Sequence, residues 1–129
     1  MQNGLIDFGQ PQGCPKFYAE SLNMNILFVC SRNQWRSPTA EHMFRNRQSI
    51  SVRSAGTSPN AKRTVSIKDI LWANQIMVME HKHKNRLQAM FPRALQHKTI
   101  LVLDIPDDYQ YMDEALVNIL EQNVAPHLP

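Results

Sequence analysis

From Met24 onward, short apolar runs alternate with stretches of helical periodicity. Most of these runs are apolar at nearly every position, which is typical of strands buried on both faces of a sheet. They predict strands at Asn25–Val29, Ile50–Ser54, Gln75–Met79 and Thr99–Leu103. The stretches after them predict helices at Pro38–Gln48, Ser66–Ala73, Glu80–Phe91 and Met112–Asn123. The alternation favours an α/β fold, a parallel sheet with helices on both faces.

The second and third helices carry specific expectations about their ends and buried faces. Ser66 is followed three positions later by Asp69, a capping-box variant that predicts an N-cap at Ser66. The apolar positions expected to face the core on these two helices are Ile67, Ile70, Leu71, Leu87, Met90 and Phe91.

Residues 1–23 differ from the rest of the chain because glycines and prolines interrupt any periodicity there. We interpret them as an N-terminal extension, and residues 24–129 as one folded domain. The N-terminus has no basic segment followed by an apolar one, which argues against a signal peptide. No apolar run approaches the ~20 residues that a membrane span needs. A cytoplasmic protein without membrane contact is therefore expected.

The charge distribution disfavours a nucleic-acid partner. The formal net charge is only +3, and the charges are dispersed apart from HKHKNR at 81–86, which we interpret as a solvated helix face. Nucleic-acid binding would favour a basic stripe interleaved with aromatic residues. His81 and His83 lie two apart on a helix and share no face, so we expect surface histidines and no metal site. A mildly basic protein still favours anionic substrates.

The loop VCSRNQWRSP, after the first strand, combines a thiol with an arginine six positions later. In a parallel α/β sheet, ligands bind at the carboxyl ends of strands, beside the N-termini of the following helices. Free N–H groups at a helix N-terminus attract anions and favour the thiolate form of Cys30. The planar fork of Arg36 suits two phosphate oxygens. The loop therefore predicts transfer of a phosphoryl group to sulfur.

Residues 25–44, NILFVCSRNQWRSPTAEHMF, resemble the start of the low-molecular-weight protein tyrosine phosphatase family, whose loop is Cys-x5-Arg-Ser. SVRSAGT at 51–57 and ANQIMVMEHKHKNRL at 73–87 are similar to two further blocks of that family. The resemblance implies a four-stranded parallel sheet of order 2-1-3-4, no cofactor and no metal. It also implies a cysteine-dependent phosphatase acting on phosphorylated protein or a small, phosphotyrosine-like phosphomonoester.

The resemblance also implies roles for individual residues. Cys30 would be the nucleophile that forms a phosphocysteine, and Arg36 would hold the phosphoryl oxygens. Asn33, in a left-handed conformation and paired with Ser54, would fix the shape of the loop. Ser37 would hydrogen-bond the thiolate. The backbone around the phosphate would come from Ser31, Arg32, Asn33, Gln34, Trp35 and Arg36.

The chain departs from the family pattern in its loop and its general acid. Arg32 and Trp35 stand where the family commonly has Gly and a second Cys, so the family's intraloop disulfide cannot form. The family's Asp-Pro after the fourth strand reads LDIPDDYQY here. Asp104 is predicted to be the general acid because it closes that strand, and Asp107 and Asp108 are the alternatives.

Two other functions compete with the phosphatase hypothesis. An arsenate reductase on the same fold would need a thiol relay, and no cysteine follows Cys30; coupling to glutathione or mycothiol would replace that relay. A catalytically weak module that binds phosphate or a phosphoprotein is the third hypothesis. It follows from the altered acid and from a middle segment with fewer residues than the family's.

Overall fold

The computed structural model describes residues 23–129. Except for Asn23, the predicted N-terminal extension lies outside the described residues. The four strands are β1 Met24–Cys30, β2 Ile50–Gly56, β3 Gln75–Val78 and β4 Thr99–Val102. The α-helices between and after them are α1 Arg36–Phe44, α2 Ile67–Trp72, α3 His81–Met90 and α4 Glu114–Val124. A 3₁₀ turn, Ala125–His127, follows α4.

The strands form one parallel sheet of order β2-β1-β3-β4, which confirms the predicted fold class and strand order. The chain leaves β1 towards β2 on one side and later returns to place β3 on the other. The loops after β1 and β3 therefore flank the point where the strand order reverses, where an α/β sheet forms its binding crevice.

Two apolar clusters cover the two faces of the sheet. One joins alternate residues of β1 with α1 and α4, through Phe28, Phe44, Leu116 and Leu120. The other joins the intervening residues of β1 with α2 and α3, through Leu27, Ile70 and Leu87. Because residues 26–30 of β1 are buried on both faces of the sheet, they are all apolar, which explains the continuous run in the sequence.

The capping box at the start of α2 is confirmed, since the Ser66 N–H donates to the Asp69 carboxylate at 3.0 Å. The predicted buried faces of α2 and α3 are partly wrong. Ile67 and Leu71 are 44% and 62% exposed, and Met90 is 41% exposed. Helix α2 has only six residues and reaches the sheet chiefly through Ile70, so its flanking apolar side chains remain in solvent.

Helix α1 begins at Arg36, two residues before the predicted start. Arg36 and Ser37 therefore belong to its first turn, where backbone N–H groups have no partner within the helix. Among residues 23–129, no helix has the length and apolar character needed to cross a bilayer. Within the same described range, no group of three or more His, Cys, Asp or Glu side chains could hold a metal ion.

Candidate active site

The loop between β1 and α1 wraps around the sulfur of Cys30, whose side chain is buried at the end of β1. The Asn33 N–H donates to Cys30 Sγ at 3.2 Å. Ser37 Oγ lies 3.0 Å from the same sulfur and accepts a hydrogen bond from the Asn33 side chain. The single Ser37 proton has two acceptors within reach, the sulfur at 3.0 Å and the Ala55 carbonyl at 3.4 Å, and the sulfur is the nearer. The sulfur thus has the Asn33 N–H and the Ser37 hydroxyl as its hydrogen-bond partners.

Asn33 fixes the shape of the loop from behind. Its φ of 55° is left-handed, a conformation that asparagine tolerates better than most residues. Its side-chain amide donates to Ser37 Oγ at 3.0 Å and to Ser54 Oγ at 2.9 Å, and Ser54 in turn donates to Glu41 at 2.6 Å. Ser54 on β2 and Glu41 on α1 therefore hold the loop in place through the side-chain amide of Asn33.

The segment after β2 holds the loop's backbone carbonyls. The N–H groups of Thr57, Ser58 and Lys62 donate to the carbonyl oxygens of residues 30, 31 and 32 at 3.0, 2.9 and 2.9 Å. These three bonds turn the carbonyls of residues 30, 31 and 32 towards that segment. This is the arrangement that a backbone cradle for an anion requires.

Gly56, at the end of β2, has no side chain and so leaves room for the Cys30 loop to lie against β2. A Cβ added there would lie 2.5 Å from Ser31 O, 2.6 Å from Ala61 Cβ and 2.9 Å from Asn33 N. Two of these three atoms are backbone of the loop itself, so the loop would have to move away from β2.

Gly56→Ala is expected to destabilise the fold by about 1–3 kcal/mol, the usual cost of overpacking a filled site. Phosphate affinity should fall as well, because the loop is displaced. Denaturant unfolding and calorimetric titration with inorganic phosphate measure the two effects. Adding Ala61→Gly removes one of the three close contacts and should recover only part of the loss. Unchanged phosphate affinity in Gly56→Ala would show that the loop's shape does not depend on this contact.

Arg36 is 2% exposed and is held at one edge of its guanidinium. Its Nη1 donates to Glu80 Oε1 at 2.7 Å and to the carbonyl of Ile105 at 2.8 Å. Both hydrogens of Nη1 are used in this way, so a bidentate contact with a phosphoryl group falls to Nε and Nη2. Burial raises the pKa of Glu80, but its hydrogen bond to Arg36 and that cation's charge outweigh it and lower the pKa below the usual value.

A cavity of about 250 Å³ opens above the loop. Its lining residues are Cys30, Ser31, Arg32, Gln34, Trp35, Arg36 and Asp107. Six of these seven were expected at the site from the sequence. Three other expected residues, Asn33, Ser37 and Ser54, lie behind the loop, where they support it.

The structure does not bring Asp104 to this cavity. Asp104 is exposed between the buried Leu103 and Ile105, and its φ of 59° is left-handed. It lines a separate depression with Asn123 and His127. Asp107 instead lines the cavity of Cys30, and its Oδ1 lies 3.7 Å from Arg36 Nε. Of the carboxyls named from the sequence, Asp107 lines the cavity of Cys30 and Asp104 does not; which of them is the general acid stays a prediction.

Sequence reasoning missed Glu80 and His83, which follow β3. The expectation of a solvent-exposed His83 is wrong, since it is 1% exposed and its Nε2 lies 2.8 Å from Ser31 Oγ. A signal for both was present. Because β3 lies beside β1, the residues that directly follow β3 must lie beside the Cys30 loop, by the same rule that located Cys30.

Comparisons with known proteins agree with this geometry. The sequence profile of the family described as "Low molecular weight phosphotyrosine protein phosphatase" matches residues 25–105. A protein-arginine-phosphatase of Bacillus subtilis is 32% identical over 97 residues, covering 54% of this chain and 65% of that protein. The matched region thus spans slightly less than two thirds of this curated relative.

Two solved structures have the same fold. The YwlE arginine phosphatase of Geobacillus stearothermophilus superposes with a TM-score of 0.60 at 24% identity, over 81% of this chain and 94% of that one. The tyrosine phosphatase Wzb of Escherichia coli K30, solved in complex with phosphate, gives 0.66 at 20% identity, over 81% and 96%. At these identities, the likeness establishes the fold.

Proposed function

Because the chain belongs to the low molecular weight phosphotyrosine protein phosphatase family, we propose that it hydrolyses phosphomonoesters through a phosphocysteine intermediate. The observation that carries the proposal is the placement of the Cys30 sulfur. It accepts a hydrogen bond from its own loop and lines one cavity with Arg36 and Asp107. Nucleophile, anion clamp and acid are thus available to a single phosphoryl group.

In the first step, the Cys30 thiolate attacks phosphorus and the bond from phosphorus to the leaving oxygen breaks. Arg36 and the loop N–H groups bind the non-bridging oxygens, whose charge is greatest in the transition state. Asp107, protonated at this stage, gives its proton to the leaving oxygen. The products are the free alcohol or phenol, a phosphocysteine and an Asp107 carboxylate.

In the second step, water attacks the phosphocysteine. The Asp107 carboxylate takes a proton from that water, and the bond from sulfur to phosphorus breaks. Inorganic phosphate leaves, the thiolate is restored and Asp107 is protonated again. Ser37, 3.0 Å from the sulfur, supports the thiolate as nucleophile in the first step and as leaving group in the second.

Phosphorylated protein is the substrate class that we propose, with phosphotyrosine and phosphoarginine as the two candidate residues. Phosphoarginine is a phosphoramidate, so with that substrate the bond from phosphorus to nitrogen would break in the first step and Asp107 would protonate the leaving nitrogen. Trp35 lines the cavity and offers an aromatic face to a tyrosine ring. Phosphoarginine is favoured by the 32% identity to a relative named as a protein-arginine-phosphatase. The Asp107 side chain, 57% exposed, would be the group that meets the leaving guanidine of such a substrate.

The proposal is tested with the unaltered protein on three substrates: p-nitrophenyl phosphate, a phosphotyrosine peptide and a phosphoarginine peptide. We expect turnover of p-nitrophenyl phosphate, and mass spectrometry after acid quenching should find a phosphoryl adduct on the peptide that contains Cys30. The ratio of kcat/KM for the two peptides identifies the residue class. Phosphate binding without turnover of any of the three would instead support the binding-module hypothesis.

A further inference from the structure

His83 lies beneath the Cys30 loop, although it belongs to a helix of the neighbouring crossover. It is the third residue of α3, and the end of β3 brings it beside the end of β1. Its side chain is 1% exposed. One ring nitrogen, Nε2, lies 2.8 Å from Ser31 Oγ, and the other, Nδ1, accepts the Glu80 N–H at 3.0 Å. Both ring nitrogens therefore take part in a hydrogen bond.

The Glu80 contact decides where the ring proton is. A backbone N–H can only donate, so Nδ1 of His83 must carry its lone pair and not a proton. In a neutral imidazole the proton then resides on Nε2, which donates to Ser31 Oγ. Since Ser31 receives this hydrogen bond, its own hydroxyl proton is directed elsewhere. Ser31 lines the cavity of Cys30 and Arg36, where an incoming phosphoryl group would lie.

The surroundings keep His83 neutral. Burial and then the charge of Arg36 lower the pKa of His83 to about 4, against the opposing influence of Glu80 and Asp107. Lys82 adds a further small lowering. Protonation would place an N–H on Nδ1 directly opposite the Glu80 N–H and break the capping contact. The neutral form with its proton on Nε2 is thus the state present near pH 7.

We propose that His83 is a positioning residue that holds the Ser31 hydroxyl as a hydrogen-bond donor to the phosphoryl group. Ser31 would then contribute its side chain as well as its backbone to the anion site. This inference rests on the proposed function for its catalytic meaning, but the binding of phosphate tests it independently. The hydrogen bond between His83 and Ser31 also connects α3, which follows β3, to the loop after β1.

Two substitutions test separately the hydrogen bonds made by the two ring nitrogens of His83. The side chain of asparagine places an acceptor near the position of Nδ1, so His83→Asn keeps the contact with Glu80 and loses the donor to Ser31. Glutamine reaches the position of Nε2, so His83→Gln keeps a donor for Ser31 and loses the cap. We expect His83→Asn to be stable but impaired, and His83→Gln to be less stable but more active.

Ser31→Ala should lower kcat/KM for p-nitrophenyl phosphate by about 10- to 100-fold, the effect of one hydrogen bond to a charged group. His83→Asn should lower it by a smaller factor of about 3 to 10, because a hydroxyl remains but is no longer oriented. The double variant should resemble Ser31→Ala alone, since both changes act on the same contact, the one between the Ser31 hydroxyl and the phosphoryl group. His81→Asn, exposed on the same helix, is the matched control and should match the unaltered protein.

Calorimetric titration with inorganic phosphate gives the same comparison without turnover. Weaker phosphate binding in Ser31→Ala and His83→Asn, with the melting temperature of His83→Asn preserved, would support the inference even in a chain that proves to be inactive. If activity and affinity instead follow the melting temperature across the two His83 variants, His83 is only structural. Wild-type values in Ser31→Ala would also overturn the inference, while turnover by the unaltered protein would leave the proposed function intact.

Discussion

Cys30→Ser is expected to reduce turnover of p-nitrophenyl phosphate by about 10⁴-fold or more, as loss of a covalent nucleophile does in other enzymes. Serine has nearly the same size as cysteine and can keep the contacts with Asn33 and Ser37. Its hydroxyl stays protonated at neutral pH, however, and in the first step Asp107 gives a proton to the leaving group and removes none from the nucleophile. Thermal stability and phosphate affinity should therefore change little while turnover is lost.

Cys14→Ser is the matched control, because it removes the chain's only other thiol. It should keep full turnover, and iodoacetate should still inactivate it through Cys30, with inorganic phosphate protecting. If Cys30→Ser retained a substantial part of the activity, phosphoryl transfer to sulfur would not be the mechanism. The cavity would then need another nucleophile.

Asp107→Asn is expected to slow hydrolysis of phenyl phosphate by about 10²–10⁴-fold, the usual contribution of a positioned acid. Phenolate is a poor leaving group and must be protonated as it departs. p-Nitrophenolate leaves readily without a proton, so the same substitution should affect p-nitrophenyl phosphate much less. The ratio of kcat/KM for the two substrates is the diagnostic measurement, because a general loss of folding would lower both equally.

Asp104→Asn and Asp108→Asn provide controls of the same chemistry on the same segment. Neither should change the ratio of the two substrates, since neither side chain lines the cavity of Cys30. A steep leaving-group dependence in Asp104→Asn would restore the assignment made from the sequence. If none of the three variants shows it, the chain has no working acid there, and a module that binds phosphate becomes the better account.

The sequence by itself determined the layers of this fold. A strand that is buried on both faces must be apolar at each position, so β1 and β3 could be recognised without their neighbours. The Cys30 loop was also recognisable, because a thiol, an arginine and a helix start lie within seven residues of one another. Contacts of this kind depend on short stretches of chain, and local spacing encodes them.

Tertiary structure alone decided which distant residues complete the site. Glu80 reaches Arg36 across 44 positions, and His83 reaches Ser31 across 52, because β3 lies beside β1 in the sheet. The choice between Asp104 and Asp107 depended on how the chain turns after β4, where Asp104 adopts a left-handed φ of 59° between two buried residues. Periodicity indicates which residues share a face of one element. It does not fix which elements are adjacent or how the chain turns where an element ends, and those two facts placed Asp107, Glu80 and His83.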